Sequence, residues 1–257
     1  MADIADIVVV GGGVHGASTA WHLAKRNAGK IVLIEKDAIA SGASGWSSAI
    51  VRMHYQLESL VKVTMYGREM YGDWENIVGV GESGFRKVGF LVLFPEDEIE
   101  HGHSVIKMQQ RLGIDARYIS RDEISQIEPR LSIEDVAAGA WEPNSGYADG
   151  STVANSFVAA ARSLGVEVRI GPEAVGLTTV DEKITGVETS EGMIHAGTVI
   201  VEAGFRTSAL LAHHGVDLPI VPVRHAIAVV KRTQDFGDIH PVVSDRVARA
   251  YYRPEAE

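Results

Sequence analysis

Nearly every position from Ile4 to Val10 is apolar and most are β-branched, and the run leads directly into Gly11-Gly12-Gly13-Val14-His15-Gly16. A run so rich in apolar, β-branched residues predicts a strand buried on both faces of a parallel sheet. A helix-like stretch follows from Ala17 to about Ala28, then a second apolar run, Lys30 to Ile34, that ends on Glu35. Parallel neighbours need a crossover, so these forty residues read as a strand–helix–strand unit with its glycine turn at the first strand end.

Each part of that turn has a physical task. Gly11 permits the tight turn, Gly13 lets backbone approach a pyrophosphate, and Gly16 lets helix and strand pack closely. The helix N-terminus offers unpaired N–H groups and the positive end of the helix dipole to phosphates. Glu35, at the second strand end, can accept hydrogen bonds from both ribose hydroxyls and would repel a 2′-phosphate, which argues against NADP. The turn alone leaves FAD and NAD open. Residues 36 to 48, from Lys36 through Ser41-Gly42-Ala43-Ser44-Gly45-Trp46-Ser47-Ser48, offer small side chains and free amides suited to wrapping an extended ligand such as FAD.

The 257 residues suffice for a substantial core and two lobes, and 24 Lys and Arg against 34 Asp and Glu give a net charge of −10. That balance disfavours nucleic acid and anionic membranes. With no cysteine, thiolate zinc sites, Fe–S clusters, disulfides and thiol nucleophiles are excluded. Ile7 to Ala24 carries no Lys, Arg, Asp or Glu, yet its glycine run and two histidines contradict a membrane span. A cytoplasmic setting is expected.

Further along, helical spacing runs from Leu57 to Val78, Glu96 to Leu112, Ser151 to Leu164 and Phe205 to His213. Strands are expected over Phe85–Phe94, Val136–Trp141, Val166–Arg169, Ala174–Val180, Ile184–Thr189, Thr198–Val201, a long one over Ile220–Lys231, and another beginning at Arg249. No linker separates the lobes, so the chain is expected to cross between them more than once. Glu100-His101-Gly102-His103 reads as a solvated helix face rather than a metal site, and His213-His214 as a favourable helix end.

Gly11-Gly12-Gly13-Val14-His15-Gly16-Ala17-Ser18, Ile34-Glu35-Lys36 and Ser41-Gly42-Ala43-Ser44-Gly45 resemble the D-amino-acid oxidase superfamily of flavoproteins. Sarcosine oxidase, glycine oxidase and dimethylglycine dehydrogenase are the most similar types. The likeness continues through Tyr147-Ala148-Asp149-Gly150, Val199-Ile200-Val201-Glu202-Ala203-Gly204, Pro219 to His225 and Tyr252-Arg253-Pro254-Glu255. It implies an α/β fold: a Rossmann-like, glutathione-reductase-type FAD-binding domain interleaved with an α+β substrate domain having an antiparallel sheet. The implied boundaries are 1–84 and 146–214 for the FAD-binding domain, and 85–145 and 215–257 for the substrate domain.

By resemblance, Gly11, Gly13, Val14, His15 and Gly16 would hold the diphosphate, and Glu35 and Lys36 the adenosine ribose end. Ala43, Ser44, Ser48 and Ala49 would lie along the diphosphate and isoalloxazine, Val175 would meet adenine through its backbone, and Gly204 would lie beside the cofactor. The implied reaction is oxidation of a C–N bond in a small amino acid or N-methyl amino acid, by hydride transfer to flavin and hydrolysis of the imine. Arg52, in Arg52-Met53-His54-Tyr55, would clamp the substrate carboxylate, a task for which its bidentate fork is suited. Trp46-Ser47 stand where some relatives tether flavin through histidine, and cysteine is absent, so FAD is expected to be non-covalent. The implied partners are an amine or amino-acid substrate, oxygen or another electron acceptor, and a further copy or partner subunit. Relatives continue beyond the Arg-Pro-Glu segment, so the chain reads as C-terminally truncated. Two alternatives stay open: a dehydrogenase of a hydroxyl substrate such as glycerol 3-phosphate or 2-hydroxyglutarate, and a catalytically incomplete fragment or subunit.

Overall fold

The computed structural model describes residues 3–233 and 236–255; the outermost residues of the expected first and last segments, 1–2 and 256–257, lie outside them. In chain order, β1 (Asp3–Val10), α1 (Val14–Lys25) and β2 (Ile31–Glu35) lead to β3 (Ile50–Val51), α2 (Glu58–Gly72) and α3 (Trp74–Ile77). Next come β4 (Phe90–Phe94), α4 (Ile99–Arg111), β5 (Arg117–Ile119), α5 (Arg121–Ile127), β6 (Ala138–Glu142) and β7 (Gly146–Tyr147). Then follow α6 (Gly150–Ser163), β8 (Glu167–Ile170), β9 (Ala174–Val180), β10 (Lys183–Thr189) and β11 (Gly192–Val201). The last described elements are α7 (Thr207–Ala212), β12 (Val242–Asp245) and β13 (Ala250–Tyr252).

Contacts divide the chain into two units, each built from three segments. The first comprises residues 1–47, 74–83 and 149–229; the second 48–73, 84–148 and 230–257. This differs from the expected division at 84/85 and 214/215. Residues 48–73 belong with the second unit because Met53 and Val61 are buried there against Phe90 and Ile106.

The first unit is organised by a six-stranded sheet in the order β8-β2-β1-β11-β10-β9. β8, β2, β1 and β11 run parallel, β10 turns back antiparallel to β11, and β9 pairs antiparallel with β10. Val8, Val9, Val32 and Leu33 are fully buried, as the unbroken apolar runs require. α1 turns Gly16, Ala17, Ala20 and Trp21 inward, and its Trp21 ring meets Phe157 of α6 with centroids 5.5 Å apart. Asp149 caps α6 by accepting from the Thr152 amide at 2.6 Å.

The second unit holds a mixed five-stranded sheet, β13-β12-β4-β6-β5, and the small β3-β7 pair. All its pairs are antiparallel except β4 with β12. β4 is buried at every residue and its alternation sorts two cores. Phe90, Val92 and Phe94 face Val61, Ile106 and Ala140, whereas Leu91 and Leu93 face Ile119, Ile124, Val136 and Val243.

Two expectations are corrected here. The strand expected from Phe85 begins only at Phe90, because Gly89 sits at φ +82° with its α-carbon against the Trp141 ring. Ile220 to Lys231 forms no strand: residues 219 to 231 are all exposed, and no neighbouring strand supplies lateral hydrogen bonds among the described residues. β3, β5, α5, β7 and β12 had no separate signal in the sequence reading. Among the described residues, no helix is long and apolar enough to cross a membrane.

Leu91 is fully buried at the centre of this sheet. Leu91→Ala is expected to cost about 2–5 kcal/mol of unfolding free energy, measured by urea denaturation, through lost burial and the cavity left behind.

Candidate functional site

In the first unit the glycine turn is set by contacts that leave no room for side chains. Gly11 adopts φ +113°, and a Cβ there would lie 2.4 Å from the Glu202 carbonyl oxygen at the end of β11. A Cβ on Gly16 would lie 1.9 Å from the Gly11 carbonyl oxygen. Helix, turn and returning strand thus converge at backbone contact distance. Gly13 is the N-cap of α1 and makes no side-chain cap, and no acidic residue occupies the first helical turn. The first-turn amides that a helix leaves unsatisfied therefore meet no competing carboxylate from their own helix.

Glu35 ends β2 with its carboxylate fixed by backbone: Oε2 accepts from the Gly12 amide at 2.7 Å and Oε1 from the Asp37 amide at 2.9 Å. Ser44 Oγ accepts from the Val14 amide at 2.9 Å, so the 41–47 loop is tied to the start of α1. A Cβ on Gly150 would lie 2.1 Å from the Ser44 carbonyl oxygen, which brings the start of α6 to the same loop. Beside Gly13 a Cβ would meet only Ser44 Oγ, at 3.2 Å. A turn pressed tightly on two sides and open at Gly13, with the donor-rich start of α1 beyond it, fits a dinucleotide diphosphate.

The remaining residues of this lobe are distributed around that core. Lys36 pairs with Glu173 at 3.4 Å, and Glu173 also faces Arg206 at 3.7 Å, so the end of β2 meets the segment entering β9, where Val175 is exposed. His15 is exposed, with Nδ1 3.8 Å from Glu202. Ala43 is exposed in the loop, and Gly204 follows β11 at φ +59°.

Ser48, Ala49 and Arg52 belong to the second unit. The Ser48 carbonyl accepts from Arg253 at 2.8 Å, and the Ala49 carbonyl from the Ala148 amide at 2.9 Å. Arg253 also lies over the Tyr147 ring, 4.7 Å from its centroid. The Arg52 guanidinium is packed over the rings of Tyr55 (4.5 Å) and Phe90 (5.3 Å) and donates to the His54 carbonyl at 3.1 Å. Among the described residues no carboxylate pairs with it. A partly buried guanidinium held by two aromatic faces and lacking an acid is a ready anion receptor.

Behind Arg52 lies a buried polar group that sequence reading missed. Glu142 Oε2 accepts from the Met53 amide at 3.0 Å and from Ser145 Oγ at 2.7 Å, and its Oε1 accepts from Gln109 Nε2. Gln109 Oε1 lies 3.1 Å from His54 Nδ1. The readable signal was a charged residue in register with Ala138 and Ala140 on β6, which places it toward the core. Arg253 was legible only as part of a motif. In α4, by contrast, His103 stacks on Tyr118 with centroids 3.8 Å apart.

Burial pushes the His54 imidazole down to about 4 from 6.5, with Arg52 adding to the depression and the Gln109 hydrogen bond opposing it. The folded state therefore holds His54 neutral where an unfolded chain protonates it. This contribution is complete above pH 6.5 and is lost as pH falls toward 4. The loss is expected to be on the order of 3 kcal/mol, read from urea denaturation across that window, and to be absent in His54→Asn.

A sequence profile of the family described as "DAO: FAD dependent oxidoreductase" matches residues 6–257. The chain is 27% identical to sarcosine oxidase subunit beta from Arthrobacter sp over 256 residues, covering 93% of this chain and 60% of that protein. It is 25% identical to mitochondrial dimethylglycine dehydrogenase from Rattus norvegicus, covering 99% and 30% respectively. Against the crystal structure of L-proline dehydrogenase from P. horikoshii the TM-score is 0.84 with 26% identity, covering 98% of this chain and 67% of that one. The chain thus spans less than two thirds of the length of either curated relative.

Proposed function

Because this chain belongs to the DAO family of FAD-dependent oxidoreductases, we propose that it oxidises the C–N bond of a small amino acid or N-methyl amino acid of the sarcosine, glycine or D-amino-acid kind. The observation that carries the reading is Arg52, an aromatic-flanked guanidinium with no acid partner among the described residues. The relatives are named for sarcosine, dimethylglycine and proline, each of which joins an amine to a carboxylate through one carbon. None is named for a hydroxyl substrate, so that alternative is not favoured.

FAD is the family's cofactor. We assign its diphosphate to Gly11, Gly13, Val14, His15 and Gly16, with Ala43 and Ser44 alongside. Glu35, Lys36 and the Val175 backbone take the adenosine end, Ser48 and Ala49 the isoalloxazine end, and Gly204 a flanking position. Attachment is non-covalent, in keeping with the absence of cysteine and with Trp46-Ser47 in the loop. When bound, the flavin supplies the acceptor for a hydride from the carbon bearing nitrogen, and water hydrolyses the resulting imine. Arg52 holds the substrate carboxylate through a two-pronged hydrogen bond, which fixes the orientation of that carbon. Tyr55 and Phe90 keep the guanidinium in place and limit its hydration. The partners are the amine substrate, an electron acceptor that is oxygen or another oxidant, and a further subunit, as the beta-subunit name of the Arthrobacter relative suggests. A cytoplasmic setting accords with a cysteine-free chain.

The chain purified with FAD is expected to be yellow and to bleach anaerobically with sarcosine, glycine or a D-amino acid. Arg52→Met should raise KM about a hundredfold with a smaller change in kcat, since two charge-assisted hydrogen bonds are removed. Gly13→Val should leave the fold intact and abolish FAD retention. Bleaching by glycerol 3-phosphate or 2-hydroxyglutarate, with none by amines, would overturn the reading. Reoxidation rates with oxygen and with an artificial acceptor then separate oxidase from dehydrogenase.

A further inference from the structure

Glu142 is 1% exposed and Gln109 is fully buried, and among the described residues no cation pairs with Glu142, so a carboxyl group has been taken out of water with hydrogen bonds to compensate. Both oxygens are used, and two of the three hydrogen bonds lead to the strip that carries Arg52. One comes directly from the Met53 amide. The other runs through Gln109 to His54, whose carbonyl in turn accepts from Arg52.

The chemistry of the chain of groups fixes its polarity. An ionised carboxylate only accepts, so the Gln109 amide must turn its NH2 toward Glu142 and its oxygen toward His54. His54 must then carry its proton on Nδ1, leaving Nε2 as the unprotonated nitrogen. A single carboxylate therefore sets an amide orientation, an imidazole tautomer and the backbone position of residues 53 and 54.

We propose that Glu142 is the positioning residue of the Arg52 site: through the Met53 amide and through Gln109 and His54 it holds the Arg52–His54 strip, so that the guanidinium is presented ready-ordered to a substrate carboxylate. This rests on the assignment of Arg52 made above. Two anchors converging on one buried acid restrict the strip more than either alone, and preorganisation of this kind strengthens binding by lowering the ordering cost.

The test uses the full chain loaded with FAD. Nitrogen-15 NMR of the wild-type protein labelled at histidine should show His54 as the Nδ1–H tautomer; an Nε2–H form would overturn the proposal without any variant having to fold. In Glu142→Gln, the new NH2 opposes that of Gln109, so Gln109 must turn over and His54 must switch to Nε2–H. The exchange Glu142→Gln with Gln109→Glu restores every donor to an acceptor and should restore Nδ1–H. The switch and its rescue test the hydrogen-bond chain, and the binding measurements test the positioning role.

Binding is read separately, as calorimetric dissociation constants of acetate and of its neutral counterpart acetamide. Gln109→Leu, which severs the His54 anchor, should weaken acetate about tenfold and leave acetamide within about twofold, as expected for a displaced recognition group. The exchanged pair should bind acetate as the wild type does. Unchanged acetate binding in Gln109→Leu would overturn the positioning role. Unchanged acetate binding in Arg52→Met would instead overturn the assignment of Arg52, so the two failures are told apart.

Discussion

The first unit depends on two missing side chains. Gly16 brings α1 onto the Gly11 carbonyl, and Gly11 brings the turn onto Glu202, each at a distance no Cβ could occupy. Once these backbones touch, the rest of the lobe has few choices. The Gly12 amide falls within reach of Glu35, which fixes the acid at the end of β2. The Val14 amide falls within reach of Ser44, which fixes the loop. Steric exclusion at two positions thus arranges a donor-rich helix end, a pinned acid and a small-residue loop in one place.

The second unit solves its positioning problem by the opposite means. Its Arg52–His54 strip is tied to a buried polar network around Glu142 rather than placed by close backbone packing. Such a network is costly unless every lone pair and proton is matched, and that same demand is what makes it specific. Near it, Arg52 lies on aromatic faces and Arg253 holds Ser48 from across the Tyr147 ring. Hydrogen bonds and ring faces hold both arginines, and Arg253 also pairs with Glu255.

How far the sequence could be read follows from the range of the forces involved. β1, α1 and β2 were legible because a double-faced apolar run, a glycine turn and a helical stretch are local patterns. α6 was legible for the same reason, from its helical spacing over Ser151 to Leu164. Phe85–Val88 looked like strand from composition, yet strand identity depends on a partner and on what Gly89 does to the chain. Ile220 to Lys231 failed similarly: its β-branched residues describe a propensity, and propensity without a lateral neighbour is not a sheet. In the site, Gly11, Gly16 and Glu35 were readable as turn and strand-end positions because sequence spacing marks such places, and Ser44 through the resemblance of its loop. Glu142 was not, because its partners Met53 and Gln109 lie 89 and 33 residues away.

The placement of β11 beside β1 also sets a clock. Asp3 pairs with Ile194 and Val10 with Val201, so β1 waits for about 190 further residues before its second neighbour exists. At ~5–20 residues per second that interval is on the order of ten to forty seconds, during which β1 has only β2 to lean on. Neither unit can close from a continuous stretch of nascent chain, since each needs three separated segments. The same topology that gathers the glycine turn and the returning strand therefore delays closure of this lobe until its distant strand has been made, with long-range closure as the slow step.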